Sequence, residues 1–399
     1  MMEQIYPQLK SVSAYRALLQ EPAGQQLTGL FAALAHGDGE GAIDCYTGLF
    51  EAVAAQGWDS LGAWFQDRMC YGTSPFAEAA ARGNETQPLA RAAEHDIGVF
   101  ARVAQLPCRE LKQAIAALLP ENWAQAVEEL PEWRAEAPFS FEEMRRFYRV
   151  NGDGMFARYR AFNWSRNRLL PVEHPDFVPE EELWGYQLQR DKVVENTRGL
   201  IEGRAVNNVL LFGDPGTGKS ATVKSLLGVP GFESLRLIEI HKTDLGDLGE
   251  LLRTLAHRPQ KFILFIDDLA FDKDDMTYSV LKSVLEGGLE PRPANVAVYA
   301  TSNRRNLVRQ NFSDRSGDEV DTQETIQEKT SLAERFGLRI PYTALNRNQF
   351  LEMVEELAQR KGVCCDREVL RAEAVKWEMR HPNRTPRTAL QFLASLPQR

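Results

Sequence analysis

The chain has 399 residues, enough for two or three domains, and its 43% hydrophobic and 26% charged residues are ordinary for a globular protein. Its net charge is −9, and residues 1–184 hold 16 Lys and Arg against 26 Asp and Glu, whereas the remainder holds 31 against 30. Neither part has the basic excess of a general DNA-binding protein. Its five cysteines form no CxxC pair. We also find no signal-peptide pattern and no apolar run of about 20 residues. We therefore expect a cytoplasmic protein without disulfides, zinc or a membrane span.

Residues 1–140 are predicted to form an all-helical amino-terminal domain. Within 41–57, Ile43, Tyr46, Phe50 and Val53 recur at helical spacing and a glycine follows, as is typical of a helix end. Further segments of this kind are separated by glycine and proline residues. Nothing in this domain indicates a catalytic site.

Residues 141–180 form a predicted connector that is rich in arginine and aromatic side chains. Such a mixture suits stacking on single-stranded nucleic acid. Alternatively, the aromatic residues pack on the core of the α/β domain that follows while the arginines pair with the acidic amino-terminal part, and we favour this second interpretation. A proline-rich stretch closes the connector. The residues concerned are Arg145, Arg146, Arg149, Arg158, Arg160, Arg166 and Arg168, with Phe147, Tyr148, Phe156, Tyr159, Phe162 and Trp164.

Residues 181–343 alternate between continuous apolar runs and amphipathic helical patterns. This alternation predicts an α/β domain whose parallel sheet is covered on both faces. Three helical patterns without a strand follow in 344–399, and we expect a helical lid there. The five predicted strands are 209–213, 235–240, 262–267, 295–302 and 338–342.

The first of these strands leads directly into GDPGTGKS and then a predicted helix. The segment matches the phosphate-binding pattern G-x-x-x-x-G-K-[ST], in which backbone N–H groups surround phosphates, a lysine contacts the β- and γ-phosphates, and a hydroxyl binds Mg²⁺. A simple glycine-rich turn would not require both the strand and the helix. We therefore predict that ATP and Mg²⁺ bind here, with Ser220 as a metal ligand. The nucleotide-binding residues are Gly213, Asp214, Pro215, Gly216, Thr217, Gly218, Lys219, Ser220 and Ala221.

Polar residues end the next two buried strands of the predicted sheet. Asp267 would bind Mg²⁺, and Asp268 would polarise the attacking water. Asn303, at the tip of the following strand, would hold the γ-phosphate or the water. Alone, these residues would indicate only an acidic loop and a turn. Their order after the phosphate-binding loop favours a catalytic role.

The motifs GDPGTGKS, FILFIDD, YATSN, SLAERFG and TPRTAL together resemble those of the AAA+ superfamily over residues 181–399. The stretch from GYQLQRDKVV through DDLAF to EKTSLAERFGLRI more narrowly resembles the bacterial domain-of-unknown-function 815 family. The AAA+ resemblance implies ATP hydrolysis in a homo-oligomer, as a ring or partial ring, and a protein client. It also implies that Arg335 is an arginine finger that acts in trans on a neighbouring subunit, and that Arg387 senses the nucleotide from the lid.

Other residues leave alternatives open within this resemblance. Arg384 competes with Arg387 for the sensor role, and Arg335 could be an ordinary surface arginine. Leu183, Gly185 and Tyr186 occupy the position where the adenine pocket of the superfamily begins. Active AAA+ motors mostly have Glu where this chain has Asp268, and the shorter side chain predicts slow hydrolysis.

The polar segment between Asn303 and Arg335 is predicted to be mobile without a partner and to lie near a subunit interface. Three functions are therefore considered. The first is an ATPase that remodels or loads a protein partner. The second is a nucleotide-regulated nucleic-acid binder that resembles helicase loaders, and the third is a scaffold that binds ATP without hydrolysing it.

Overall fold

The computed structural model describes residues 4–176, 179, 182–271, 276–286, 292–303, 332–363, 365–381 and 383–396. The chain divides into two compact units, Met1–Arg158 and Tyr159–Arg399. None of the helices in the described ranges is long and apolar enough to cross a membrane.

The first unit is helical in its described part. Its core contains stacked aromatic pairs, Tyr46 with Trp133 and Phe65 with Phe100, whose ring centroids lie 4.8 Å and 4.6 Å apart. Such pairs add to the free energy gained from apolar burial. The helices are α1 (Ile5–Ser11), α2 (Pro22–His36), α3 (Gly39–Ala54), α4 (Leu61–Tyr71), α5 (Pro75–Arg82), α6 (Gln87–Ala104), α7 (Cys108–Ala116), α8 (Ala124–Glu128), α9 (Phe141–Asn151) and α10 (Gly154–Arg158).

The second unit is built on a mixed sheet, and the prediction of a five-stranded sheet is wrong. Within the described residues the sheet has seven strands, in the order β2-β1-β4-β5-β6-β3-β7, and only β2 runs antiparallel to its neighbour. The outermost strands, β2 and β7, each contain a proline, Pro171 and Pro341. The strands are β1 (Ala161–Ser165), β2 (Arg168–Val172), β3 (Val209–Gly213), β4 (Leu235–Ile240), β5 (Lys261–Ile266), β6 (Val296–Ser302) and β7 (Leu338–Tyr342).

The two additional strands come from the predicted connector, which is divided between the units. Helices α9 and α10 fall in the first unit, whereas β1 and β2 extend the sheet beside β4. Phe162 and Trp164 alternate with the exposed Asn163, which is the period expected of a half-buried strand. The arginine-rich composition hid this alternation. The hairpin was also hard to recognise, because its turn consists of Arg166 and Asn167 in left-handed backbone conformations, where glycine is usual.

Within the described residues, four helices with both ends described lie between the strands, and three follow the last strand. The three final helices share an apolar cluster that includes Phe350, Val354 and Phe392. The four intervening helices are α11 (Gln187–Ile201), α12 (Lys219–Ser225), α13 (Leu248–Leu255) and α14 (Met276–Glu286). The final helices, which we call the lid, are α15 (Arg347–Arg360), α16 (Arg367–Arg380) and α17 (Pro386–Ser395).

Candidate nucleotide-binding site

The phosphate-binding loop joins the end of β3 to the start of α12. Gly213 has φ +134°, and a Cβ atom at this position would lie 2.2 Å from the carbonyl oxygen of Tyr342. The next residue, Asp214, donates its N–H to the same oxygen at 2.9 Å. Only glycine allows the loop to approach β7 this closely, so the end of the sheet fixes where the loop begins.

Lys219, the first residue of α12, folds its side chain back over the loop. Its Nζ donates to the carbonyl oxygens of Gly213 and Asp214 at 3.1 Å and 2.7 Å, and to Asn303 Oδ1 at 3.0 Å. Partial burial lowers the pKa of Lys219, and the charge of Arg387 acts in the same direction, while nearby aspartates oppose them. The lysine charge is therefore held at the mouth of the loop, between the loop and β6.

Two hydroxyl groups converge on one carboxylate oxygen beside the lysine. Ser220 Oγ donates to Asp267 Oδ1 at 2.6 Å, and Thr301 Oγ1 donates to the same atom. A carboxylate with an adjacent hydroxyl is an oxygen donor set that suits Mg²⁺, which takes one or two carboxylates together with water and phosphate oxygens. The residues present therefore fit the predicted metal.

Asp268 has an unusual backbone conformation, with φ +50°. Its N–H donates to Thr301 Oγ1 at 2.9 Å, and its carboxylate accepts a hydrogen bond of 2.8 Å from Asn303 Nδ2. Asp and Asn adopt the left-handed region more readily than most residues with side chains. The turn after β5 thus directs the carboxylate towards the tip of β6, where Asn303 joins it to Lys219.

An aromatic pair lies at another side of the same pocket. The rings of Tyr186 and Tyr342 stack with centroids 4.9 Å apart and planes 26° apart. Tyr186 Oη donates to the carbonyl oxygen of Thr343 at 2.7 Å, and Tyr342 Oη lies 3.1 Å from Thr222 Oγ1. Burial raises the pKa of Tyr342 to about 12, so this hydroxyl stays protonated.

The pocket has a volume of about 890 Å³, within the range of small-molecule and cofactor sites. It is lined by the phosphate-binding loop, both aspartates, Asn303, the segment 182–186 and parts of α15 and α17. Leu183 and Gly185 line it together with Tyr186. The predicted nucleotide- and metal-binding residues therefore share one pocket, except Gly213 and Asp214, which do not line it.

The two candidate sensor arginines make different contacts. Arg387 lines the pocket, and its N–H donates to the carbonyl oxygen of Gly216 at 3.4 Å. Arg384 instead donates to Glu378 within the lid, with Nε 2.6 Å from Oε1. Arg335 is exposed just before β7 and is not among the described residues that line the pocket. The predicted mobile segment lies largely in 304–331, outside the described residues.

Sequence analysis missed two contributors to this site. Thr301 precedes Asn303 by two residues, so the period of a strand places both on one face, and this signal was present in the sequence. Tyr342 ends the apolar strand β7, and only the sheet order, which sets β7 beside β3, brings it to the loop.

The comparisons with known proteins identify a family. The profile of the family described as protein of unknown function (DUF815) matches residues 157–399. The chain belongs to the DUF815 family. This match begins shortly before β1 and so includes the two strands missed in the sequence analysis. No curated protein matches the chain.

Solved structures similar to this chain include several of RuvB from Thermotoga maritima. The Holliday junction branch migration motor has 17% identity and a TM-score of 0.36, and a lysine-to-arginine mutant of RuvB has 14% identity and a TM-score of 0.39. Each alignment covers 54% of this chain and 63% of the RuvB chain, less than two thirds of its length. We draw no conclusion about substrate or partner from likeness at this level. The P-loop α/β fold follows from the sheet and loop described above, and the order of motifs resembles that of AAA+ ATPases.

Proposed function

We propose that this DUF815 protein is an AAA+ ATPase that binds Mg-ATP and hydrolyses it slowly to remodel or load a protein partner. The observation that carries this proposal is the hydrogen-bonded series Lys219–Asn303–Asp268 beside the Ser220–Asp267 pair. Three chain segments bring the two groups together at the carboxyl end of the sheet. In open α/β sheets ligands bind at this end.

In the proposed mechanism, the loop N–H groups and Lys219 bind the β- and γ-phosphates, while Ser220 and Asp267 hold the metal. Magnesium supplies positive charge that offsets the charge of the phosphate oxygens. Asp268 accepts a proton from the attacking water, and Asn303 orients that water by holding the Asp268 carboxylate in place. The carboxylate of Asp268 is one methylene closer to the backbone than that of a Glu would be, and this favours slow turnover.

The proposed assembly is a homo-oligomer in which Arg335 completes the site of a neighbouring subunit. Its support is that Arg335 is exposed and outside the described lining of the pocket in its own chain, whereas Arg387 lies within that lining. ATP can drive remodelling only if these contacts differ between nucleotide states. In this proposal, Arg335 and Arg387 make the contacts that differ between nucleotide states.

The deciding experiment is phosphate release from Mg-ATP over a range of protein concentrations, with Lys219→Ala as the blank and Lys224→Ala as the matched control. Lys224 lies on the same helix and forms an ion pair with Glu239 at 3.9 Å. We expect specific activity that rises with concentration, is kept in the Lys224 variant and is lost in the Lys219 variant. ATP binding without phosphate release at any concentration would instead support the scaffold function. In that case ATP would raise thermal stability by mass action alone.

A nucleic-acid-binding function receives little support from the connector. Arg145 and Arg149 donate to the buried carboxylate of Glu85 at 2.8 Å and 3.0 Å. Arg158 pairs with Asp67 at 3.0 Å and lies 4.6 Å from the centroid of the Tyr71 ring. These arginines are used inside the first unit, as in the interpretation we favoured. The other half of that interpretation is wrong for Tyr148 and Phe147, which pack in the core of the first unit and not on the α/β domain. Salt-dependent binding of a single-stranded oligonucleotide that is lost on replacing Arg158 and Arg160 would reverse this preference.

A further inference from the structure

A buried carboxylate in the lid has two arginine partners. Glu378, near the end of α16, is only 5% exposed and accepts hydrogen bonds from Arg384 Nε at 2.6 Å and Arg347 Nε at 3.1 Å. Burial alone would raise the pKa of Glu378, but the two arginines outweigh it and the pKa lies below its ordinary value. The carboxylate therefore stays charged and paired at neutral pH.

Arg384 connects this ion-pair group to the chain that enters α17. Its carbonyl oxygen accepts the N–H of Leu345 at 3.0 Å, just before α15. The next residue, Thr385, is 1% exposed and caps α17 by accepting the N–H of Thr388 at 3.3 Å. The backbone and the side chain of Arg384 are thus both fixed, and they fix the first turn of α17.

That first turn lies directly against the phosphate-binding loop. A Cβ atom on Gly216 would be 3.1 Å from Thr385 Oγ1 and 3.3 Å from Arg387 Cβ, and the N–H of Arg387 donates to Gly216 O. A shift of this turn by a fraction of an ångström would therefore change both the contact with the loop and the direction of the Arg387 side chain.

We propose that Glu378 is a positioning residue for nucleotide sensing: through Arg384 it holds the start of α17 so that Arg387 faces the phosphates. This inference rests on the proposed function. Loss of the Glu378 charge would have two effects. Arg384 would lose the charged partner of its side chain, and the start of α17 would be held less firmly.

The lid contains a matched control for this proposal. Glu355 on α15 also accepts from two arginines, Arg371 Nη1 at 2.6 Å and Arg367 Nε at 3.1 Å, and its side chain is 18% exposed. This second group joins α15 to α16 but includes no residue of α17 or of the turn before it. Both glutamates contribute ion pairs to the lid, and only Glu378 is connected to Arg387.

The test is calorimetric titration of the full chain with ATPγS and with ADP, each with Mg²⁺. The variants are Glu378→Gln, Glu355→Gln, Arg387→Ala and the Glu378→Gln/Arg387→Ala double variant. We expect Glu378→Gln to weaken ATPγS binding about 10- to 100-fold, as a small displacement of a binding group can. We expect ADP binding to change little, and Glu355→Gln to resemble the wild type with both nucleotides. In the Arg387→Ala background, Glu378→Gln should have a much smaller effect than in the wild-type background.

Equal losses in the two glutamine variants, or additive losses in the double variant, would overturn the inference and leave the proposed function in place. Thermal unfolding of each variant identifies a folding defect. If Glu378→Gln does not fold, Arg384→Gln removes the same link from its other side and must give the same selective loss. If the wild type binds neither nucleotide, the proposed function and the inference both fail.

Discussion

Asn303 Nδ2 donates a hydrogen bond of 2.8 Å to Asp268 Oδ1, and the other end of the same amide accepts one of 3.0 Å from Lys219 Nζ. One side chain at the tip of β6 thus contacts both the cation of the phosphate-binding loop and the carboxylate after β5. An amide can do this because it offers a donor and an acceptor in one plane.

Replacing Asn303 with Ala should lower the rate of ATP hydrolysis about 10²-fold, the usual effect of removing one preorganised hydrogen-bonding group. Affinity for ATPγS should change much less, because the loop and Lys219 are intact. Steady-state phosphate release and calorimetry measure the two quantities. Asn163→Ala, an exposed position on β1, is the control. Equal rates in the two variants would exclude the role we give to Asn303.

Replacing Asp268 with Asn should strongly slow hydrolysis while ATP binding persists. Asn tolerates the backbone conformation at φ +50° as well as Asp does, so this substitution removes the negative charge without straining the backbone. Loss of a general base lowers rates about 10²- to 10⁴-fold. Single-turnover phosphate release with saturating protein is the measurement. Undiminished turnover would assign the proton transfer to another group.

Substituting two glycines compares backbone strain alone, at Gly203, with strain and a steric clash together, at Gly213. Gly213 and Gly203 both have positive φ, but a Cβ atom on Gly203 would meet nothing within 4 Å. Gly203→Ala should therefore cost only about 1 kcal/mol of stability from strain. Gly213→Ala should lower the midpoint of thermal unfolding further and weaken ATPγS binding, because the loop must move away from Tyr342. Matching midpoints for the two variants would argue against the close approach of loop and strand.

Acid should remove the stability that the Glu378 ion pairs provide. The pKa of Glu378 is lowered from 4.5 in the folded state, so its contribution is complete above the unfolded value and is lost as pH falls through the folded value. Glu378→Gln should be less stable than the wild type at neutral pH, and the gap should close in acid. Urea unfolding at several pH values tests this, with the exposed Glu352→Gln as control. A gap that does not depend on pH would contradict the ion pairing.

The sequence predicted the central strands well, because continuous apolar runs in a covered parallel sheet are a strong signal. The predicted bounds of β3, β4 and β7 match the structure, β5 begins and ends one residue earlier than predicted, and β6 begins one residue later. The strands β1 and β2 were missed since they lie in an arginine-rich stretch and meet at a turn without glycine. Short strands whose exposed positions are polar resemble connectors until their partner is known.

The site could be predicted in composition but not in detail. The motif spacings named the residues that the pocket brings together, including Lys219, Asp267 and Asn303. They could not show that Asp268 adopts a left-handed conformation, because that depends on its hydrogen bond to Thr301. The link from Glu378 to the start of α17 was equally hidden, since it depends on how three lid segments pack.

The two prolines in the outermost strands have a consequence for association between molecules. An exposed strand edge can recruit a strand from another chain by offering it a row of N–H and C=O groups. Pro171 and Pro341 each remove one N–H from the edge of the sheet, and the carbonyl oxygen of Pro341 accepts from Gln189 Nε2 at 3.4 Å. Neither edge offers an unbroken ladder. Crowded copies of this chain should therefore resist aggregation by strand addition.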